Sequence, residues 1–242
     1  MKKHLSVIML MARSSIYKVA ALLITMAAVE TGLFWYTLQQ TEAGGSLHLE
    51  WAVTESGIGL IFGAAFLLLT YMICRTGSKN GSQPGYTLQR LSISEKTVWI
   101  WQSVYNLTCY LLLWAAQILI SMVLSRIYLS QTPVTLIGEQ TVFLAYYRND
   151  FLHCIMPLDD IWIWIRNGIL AAAMAMAAAQ YPFRQRRGKA ARLVIPMSCG
   201  MVAFFSRSLG EIVSDVFGIT MALIAIGVAV YNVFGGETDE EA

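Results

Sequence analysis

The chain has 242 residues, of which 57% are hydrophobic and only 13% charged, with a formal net charge of +2. Soluble domains carry about a quarter charged residues, so this composition excludes an ordinary soluble fold and points to an all-α, polytopic integral membrane protein. The small net charge offers no footprint for nucleic acid, and four widely spaced cysteines, Cys74, Cys109, Cys154 and Cys199, suggest neither a disulfide framework nor a thiolate metal site.

A bilayer core of about 30 Å needs roughly 20 apolar helical residues at about 1.5 Å each. Six segments read as spans, near 17–38, 55–74, 101–128, 160–181, 192–207 and 213–234, within one transmembrane domain covering 1–242. The fifth is the shortest. Lys2, Lys3, Arg13, Lys18, Arg75, Lys79, Arg90, Lys96, Arg184, Arg186, Arg187, Lys189 and Arg192 fall on one side of this arrangement, and Arg126, Arg148, Arg166 and Arg207 fall elsewhere. Lys and Arg favour cytoplasmic loops, so both termini and the loops Arg75–Trp101 and Arg184–Arg192 are expected in the cytoplasm.

Residues 1–16 have the basic start and short apolar run of a signal peptide. Arg13 and Lys18 directly before the first span fit better with an uncleaved interfacial helix lying on the cytoplasmic leaflet. The first span carries Glu30, about 20 Å from its cytoplasmic start, where a carboxylate is costly unless neutralised or paired. It reads either as a proton or substrate contact or as one half of a structural ion pair. In the second span Gly59 and Gly63 form a Gly-x-x-x-Gly pair that permits close helix approach.

Between the second and third spans lies a polar stretch from Arg75 to Trp101. Gly77, Gly81, Pro84 and Gly85 are turn chemistry. Leu88, Leu91 and Val98 then recur at spacings of three and seven against Gln89, Arg90, Ser92, Glu95 and Lys96, which predicts an amphipathic cytoplasmic helix over residues 86–97. On the third span Gln102, Asn106, Tyr110, Gln117, Ser121 and Tyr128 fall within an arc of about 100° at 3.6 residues per turn. Polar side chains in hydrocarbon turn toward protein or water, so this stripe makes interhelical hydrogen bonds or lines a translocation path at a subunit interface.

Residues 129–159 form the largest outer loop, mixing Tyr146 and Tyr147 with Arg148, Asp150 and His153 as a cap would. His153 beside Asp150, Asp159 and Asp160 lacks the paired-His spacing of a metal site, and no metal is expected. The fourth span opens with Trp162 and Trp164 at the outer interface and holds Arg166. It continues through AAAMAMAAA, where Ala171, Ala175 and Ala179 make a smooth packing face. Pro182 is expected to help end that helix and Pro196 to kink the next. Arg207, Glu211 and Asp215, spaced by four, predict a salt-bridged ladder on one helical face at the outer end.

Phosphate loops, His-Glu-x-x-His, Gly-x-Ser-x-Gly and nucleotide-binding glycine fingerprints are absent from the sequence, so no catalytic residue is assigned. The run Tyr86, Thr87, Leu88, Gln89, Arg90, Leu91, Ser92, Ile93, Ser94 and Glu95 resembles the coupling helix of permease subunits of type-2 ATP-binding-cassette exporters. Those permeases share the topology of six spans, cytoplasmic termini and a leading interfacial helix. Many members have an acid where Gln89 stands and a Pro where Ile93 stands. The resemblance implies a permease of a bacterial cell membrane, not itself an enzyme, dimerising with a second copy or a paralogue among membrane lipids. Tyr86, Leu88, Arg90, Leu91, Glu95 and Lys96 would contact a separate cytoplasmic ATPase, which would bind the ATP and Mg. Gln102, Asn106, Tyr110, Gln117 and Ser121 would face the path or the interface. An intramembrane enzyme, a non-transport accessory protein and a small secondary transporter are the rival readings, the last weakened by the lack of an internal repeat.

Glu30 lies about 10 Å and Arg166 about 9 Å from the outer surface by helical rise. Their matching depth predicts a Glu30–Arg166 ion pair between the first and fourth spans, either within one subunit or across the dimer.

Overall fold

The computed structural model describes residues 2–41, 48–75, 94–131, 139–158, 160–186, 188, 190, 192–206 and 212–235. The described residues form α1 (Lys2–Thr41), α2 (Leu49–Glu55), α3 (Ile58–Arg75), α4 (Glu95–Gln131), α5 (Glu139–Arg148), α6 (Asp150–Ile155), α7 (Ile161–Arg186), α8 (Val194–Ser206) and α9 (Ile212–Phe234), with no strand among them. Five of these, α1, α3, α4, α7 and α9, are long and apolar enough to cross a bilayer, and α8 is a shorter apolar helix. The protein is therefore an all-helical, multi-pass membrane protein by composition and helix length. Large apolar side chains such as Leu60, Val213, Phe217, Ile224 and Tyr231 lie exposed around the bundle, as a surface facing hydrocarbon requires.

Contacts between helices fix their directions. Met11 and Val7 cluster with Val98, Ser15 Oγ lies 2.7 Å from Tyr105 Oη, and Gln117 bonds Glu30, so α1 and α4 run parallel. Phe62 stacks on Phe205, itself against Trp114, while Thr70 Oγ1 meets Tyr110 Oη at 3.0 Å, so α3 runs against α4. Trp164 packs on Trp114, Asn106 Nδ2 donates to Ala175 O, and Phe183 clusters with Trp99, so α7 is antiparallel to α4. Asp215 pairs with Arg166, and Ala229 and Val233 join Ala179 and Phe183, so α9 is parallel to α7. Between them α8 runs the other way, with Ser198 near Met174 and the Phe204 carbonyl on Arg166. The starts of α1 and α4 and the ends of α7 and α9 thus meet at one end of the bundle, where Trp99 and Phe234 stack edge to face at 6.1 Å. Lys96, Arg184 and Arg192 belong to that same end, while Arg126, Arg148 and Arg166 belong to the opposite one.

Several boundaries differ from the sequence reading. Residues 2–16 are not a separate interfacial helix, because α1 continues through them for 40 residues, about 60 Å or twice the bilayer core. A buried stripe explains the continuity: Val7, Met11, Ser15, Val19, Met26, Glu30, Phe34 and Leu38 recur mostly at four, and neither Gly nor Pro interrupts the chain before Gly32. The third span likewise begins at Glu95, inside the expected coupling helix. Ser94 sets that start, since its Oγ accepts from Thr97 N at 3.3 Å and Glu95 sits in the first turn, both favourable at a helix N-terminus. The remainder of the coupling helix lies outside the described residues.

Pro182 does not stop α7, which runs one more turn to Arg186. Pro196 does not kink α8. It stands third in a helix beginning at Val194, within the first turn, where no backbone N–H has an intrahelical partner. With 13 residues α8 is about 20 Å long, shorter than the expected 192–207 span.

α7 is the hub, packed by α3, α4, α8 and α9, whereas α1 packs on α2, α3 and α4. The Ala171, Ala175 and Ala179 face is buried and lets α4 approach closely. At the opposite end of the bundle α2, α5 and α6 form a cap. Asn149 ties it together, accepting from Phe151 N and Leu152 N at 3.1 Å as the N-cap of α6 and donating to Glu50 O and Thr54 Oγ1 of α2. The Gly-x-x-x-Gly face receives neighbours as expected: a Cβ on Gly59 would stand 3.1 Å from the Phe151 ring, and one on Gly63 3.4 Å from Val202 of α8.

Candidate functional site

Polar chemistry inside the bundle concentrates at two places. Arg166, sixth in α7, is 1% exposed and is surrounded by acceptors. Its Nη1 donates to Asp215 Oδ1, its Nε and Nη2 to Asn167 Oδ1 at 3.2 and 3.1 Å, and Nη2 also to Phe204 O at 3.2 Å and weakly to Cys154 Sγ. The guanidinium lies 5.4 Å from the centre of the Phe204 ring. Asn167 Nδ2 in turn donates to Cys154 O at 2.8 Å. One cation therefore ties α6, α7, α8 and α9. Asp215 in the first turn of α9 gains further from the positive end of its own helix. Gly218 makes room, since a Cβ there would meet Phe204 at 3.1 Å and Arg166 Cδ at 3.3 Å.

The second place is Glu30, which is fully buried. Its Oε2 accepts one hydrogen bond, from Gln117 Nε2 at 2.9 Å. Its Oε1, the Oε1 of Gln117 and the hydroxyl of Ser121 are all buried without a hydrogen-bond partner. Among the described residues no cation lies against this carboxyl, and a buried charge without a partner is costly.

The expected Glu30–Arg166 pair is thus not formed; each has a different partner. The cause is azimuth: α1 does not pack face to face with α7, whereas Asp215, fourth in the parallel helix α9, shares both the depth and the side of Arg166. Depth is legible, but Glu30 and Asp215 both lie near that level and only packing selects between them. Asp215 turns to Arg166, while Arg207 and Glu211 lie outside the described residues. Asn167 and Gln117, the neutral partners of the two centres, carry no motif. Their signal is a polar amide at the depth of a buried charge.

The stripe on α4 is interior to one chain. Gln102, Asn106, Tyr110, Gln117 and Ser121 are each at most 4% exposed, and the bonds of Asn106, Tyr110 and Gln117 reach α7, α3 and α1. They tie helices together and do not line an exposed interface as the path reading requires. Tyr86, Leu88, Arg90 and Leu91 lie outside the described residues. Glu95 and Lys96 open α4, with Lys96 Nζ 5.5 Å from the centre of the Phe234 ring. Cys74, Cys109 and Cys154 are buried free thiols and Cys199 is an exposed one. Among the described residues no cluster of three His, Cys, Asp or Glu side chains is disposed to hold a metal, and His153 packs edge-on against Tyr147 at 5.9 Å.

No protein-family model, curated protein or solved structure matches the chain.

Proposed function

We propose that this chain is the transmembrane permease subunit of an ATP-driven exporter of the ATP-binding-cassette type, with six crossings and both termini in the cytoplasm. It works as a dimer with a second copy or a paralogue, in a bacterial cell membrane, and draws on ATP and Mg held by separate cytoplasmic ATPase subunits. The observation that carries this reading is the meeting of the starts of α1 and α4 with the ends of α7 and α9 at one end of the bundle, together with the basic residues Lys96, Arg184 and Arg192. Basic ends favour the cytoplasm. The opposed run of α8 between the parallel helices α7 and α9 then serves as a short fifth crossing.

The length of α4 supports the coupling role. At 37 residues it is about 55 Å long, so a push on residues 86–94 at its cytoplasmic start would be carried by one rigid element to the outer cap. A substrate route between two copies runs over exposed apolar faces, such as Leu112, Leu119 and Val123 of α4, and suits an amphipathic cargo.

Photo-crosslinkers at Tyr86, Leu88 and Leu91 in native membranes test the reading. Capture of an ATPase carrying a phosphate loop, weakened by Arg90→Glu, is the expected result. The charge change is confined to Arg90 because Lys96 sits over the Phe234 ring. Efficient crosslinking to lipid or to other membrane proteins, with no such ATPase, overturns it in favour of an intramembrane enzyme or a non-transport accessory protein.

A further inference from the structure

We propose that Glu30 is a proton-binding site, held as a neutral carboxylic acid in a cyclic two-hydrogen-bond pair with Gln117 that joins α1 to α4. An ionised Glu offers only acceptors, and the Gln117 amide offers one acceptor oxygen beside its donor nitrogen. The bond from Gln117 Nε2 to Glu30 Oε2 leaves two buried oxygens over, Glu30 Oε1 and Gln117 Oε1. As acceptors they have nothing to share. One proton on Glu30 Oε1 makes that atom a donor to Gln117 Oε1 and satisfies both, so acid and amide close a ring of two complementary bonds.

Among the described residues no alternative source of stabilisation is close by. Glu30 makes no ion pair with any described residue, and Gln117 is its one hydrogen-bond donor. Ser121, one turn on along the same face of α4, leaves its own hydroxyl without a partner and so does not serve the carboxyl. On α3, Phe62 packs on Phe205 of α8 and Phe66 on Tyr110 of α4, and neither side chain titrates. Burying a bare carboxylate in such a place is far more costly than burying the neutral acid.

The consequence concerns movement. A seam held by a neutral acid–amide pair separates without exposing a charge to the bundle interior, whereas the Arg166 centre cannot part without doing so. In the permease reading, on which this one clause rests, α1 and α4 are the elements free to shift.

The test compares wild type, Glu30→Gln and Gln117→Leu, each purified at neutral pH. A Gln at position 30 makes the same ring of two amide bonds, so the thermal midpoint of Glu30→Gln is expected to stay at the wild-type value. Gln117→Leu leaves the acid without its partner and should lower the midpoint by about 2–4 °C. Infrared spectra should show a protonated-carboxyl carbonyl band in wild type that Glu30→Gln lacks. A rise in midpoint for Glu30→Gln reports relief of a buried charge and overturns the proposal. So do a fall matching that of Gln117→Leu, the absence of the carbonyl band, or a wild-type midpoint that climbs with sodium, which would make the site a carboxylate holding a cation. None of these readouts involves an ATPase, so the outcome is independent of the exporter reading.

Discussion

Arg166 and Glu30 are both ionisable, both almost completely buried and both in helices long enough to cross a bilayer, yet their surroundings differ sharply. Every donor nitrogen of Arg166 has an acceptor, drawn from Asp215, Asn167, Phe204 and Cys154. Glu30 has one amide. A charge kept in a low-dielectric interior needs a counter-ion and filled hydrogen-bonding capacity together. Arg166 has both and ties α6, α7, α8 and α9 together. Glu30 has neither, and the seam it occupies joins α1 to α4.

The largest effect that would sharpen this contrast is expected from Arg166→Gln. Asp215 would be left buried and unpaired, which costs about 3–5 kcal/mol for a broken buried pair, read as a lower thermal midpoint in detergent. Arg166→Lys should recover little of it, because an ammonium cannot supply the fork that reaches Asp215, Asn167 and the Phe204 carbonyl at once. A next effect, about 1–3 kcal/mol, is expected from Gly218→Ala, whose methyl would press on Phe204 and on the Arg166 stem. Overpacking there should be visible as loss of stability, and retention of the wild-type midpoint would mean the α8–α9 contact is looser than the structure shows. Asn149→Ala removes the N-cap of α6 and its bonds to α2, for about 1 kcal/mol. Proteolysis of the cap formed by α2, α5 and α6 should accelerate. The smallest change is expected from Tyr105→Phe, which removes the hydrogen bond between Tyr105 and Ser15 in the α1–α4 seam, about 0.5–1.5 kcal/mol.

How much of this was legible in the sequence follows from what each feature depends on. Composition and run length are local, so the helical membrane class, the Gly59 and Gly63 packing face and the alanine face of α7 could be read directly. The inward turn of Gln102, Asn106, Tyr110, Gln117 and Ser121 was legible too, because helical periodicity alone fixes which residues share a face. Which neighbour that face meets is not periodic information. Hence the stripe was open to a path reading, and Arg166 was assigned to Glu30 although Asp215 lay at an equal depth on the helix that packs beside it. Two boundaries were missed for a different reason. Ser94 and Thr97 signal a helix start, but the amphipathic pattern running across them suggested a separate element. The polar start of α1 likewise hid a buried stripe that continues into the span.

The division of the interior into two independent centres is tested most directly by a pair of double-mutant cycles on thermal stability. One cycle combines Arg166→Gln with Asp215→Asn, the other Arg166→Gln with Glu30→Gln. The first should show a coupling of about 1–3 kcal/mol, and the second should be additive within about 0.5 kcal/mol. Strong coupling between Arg166 and Glu30, or additivity between Arg166 and Asp215, would contradict it.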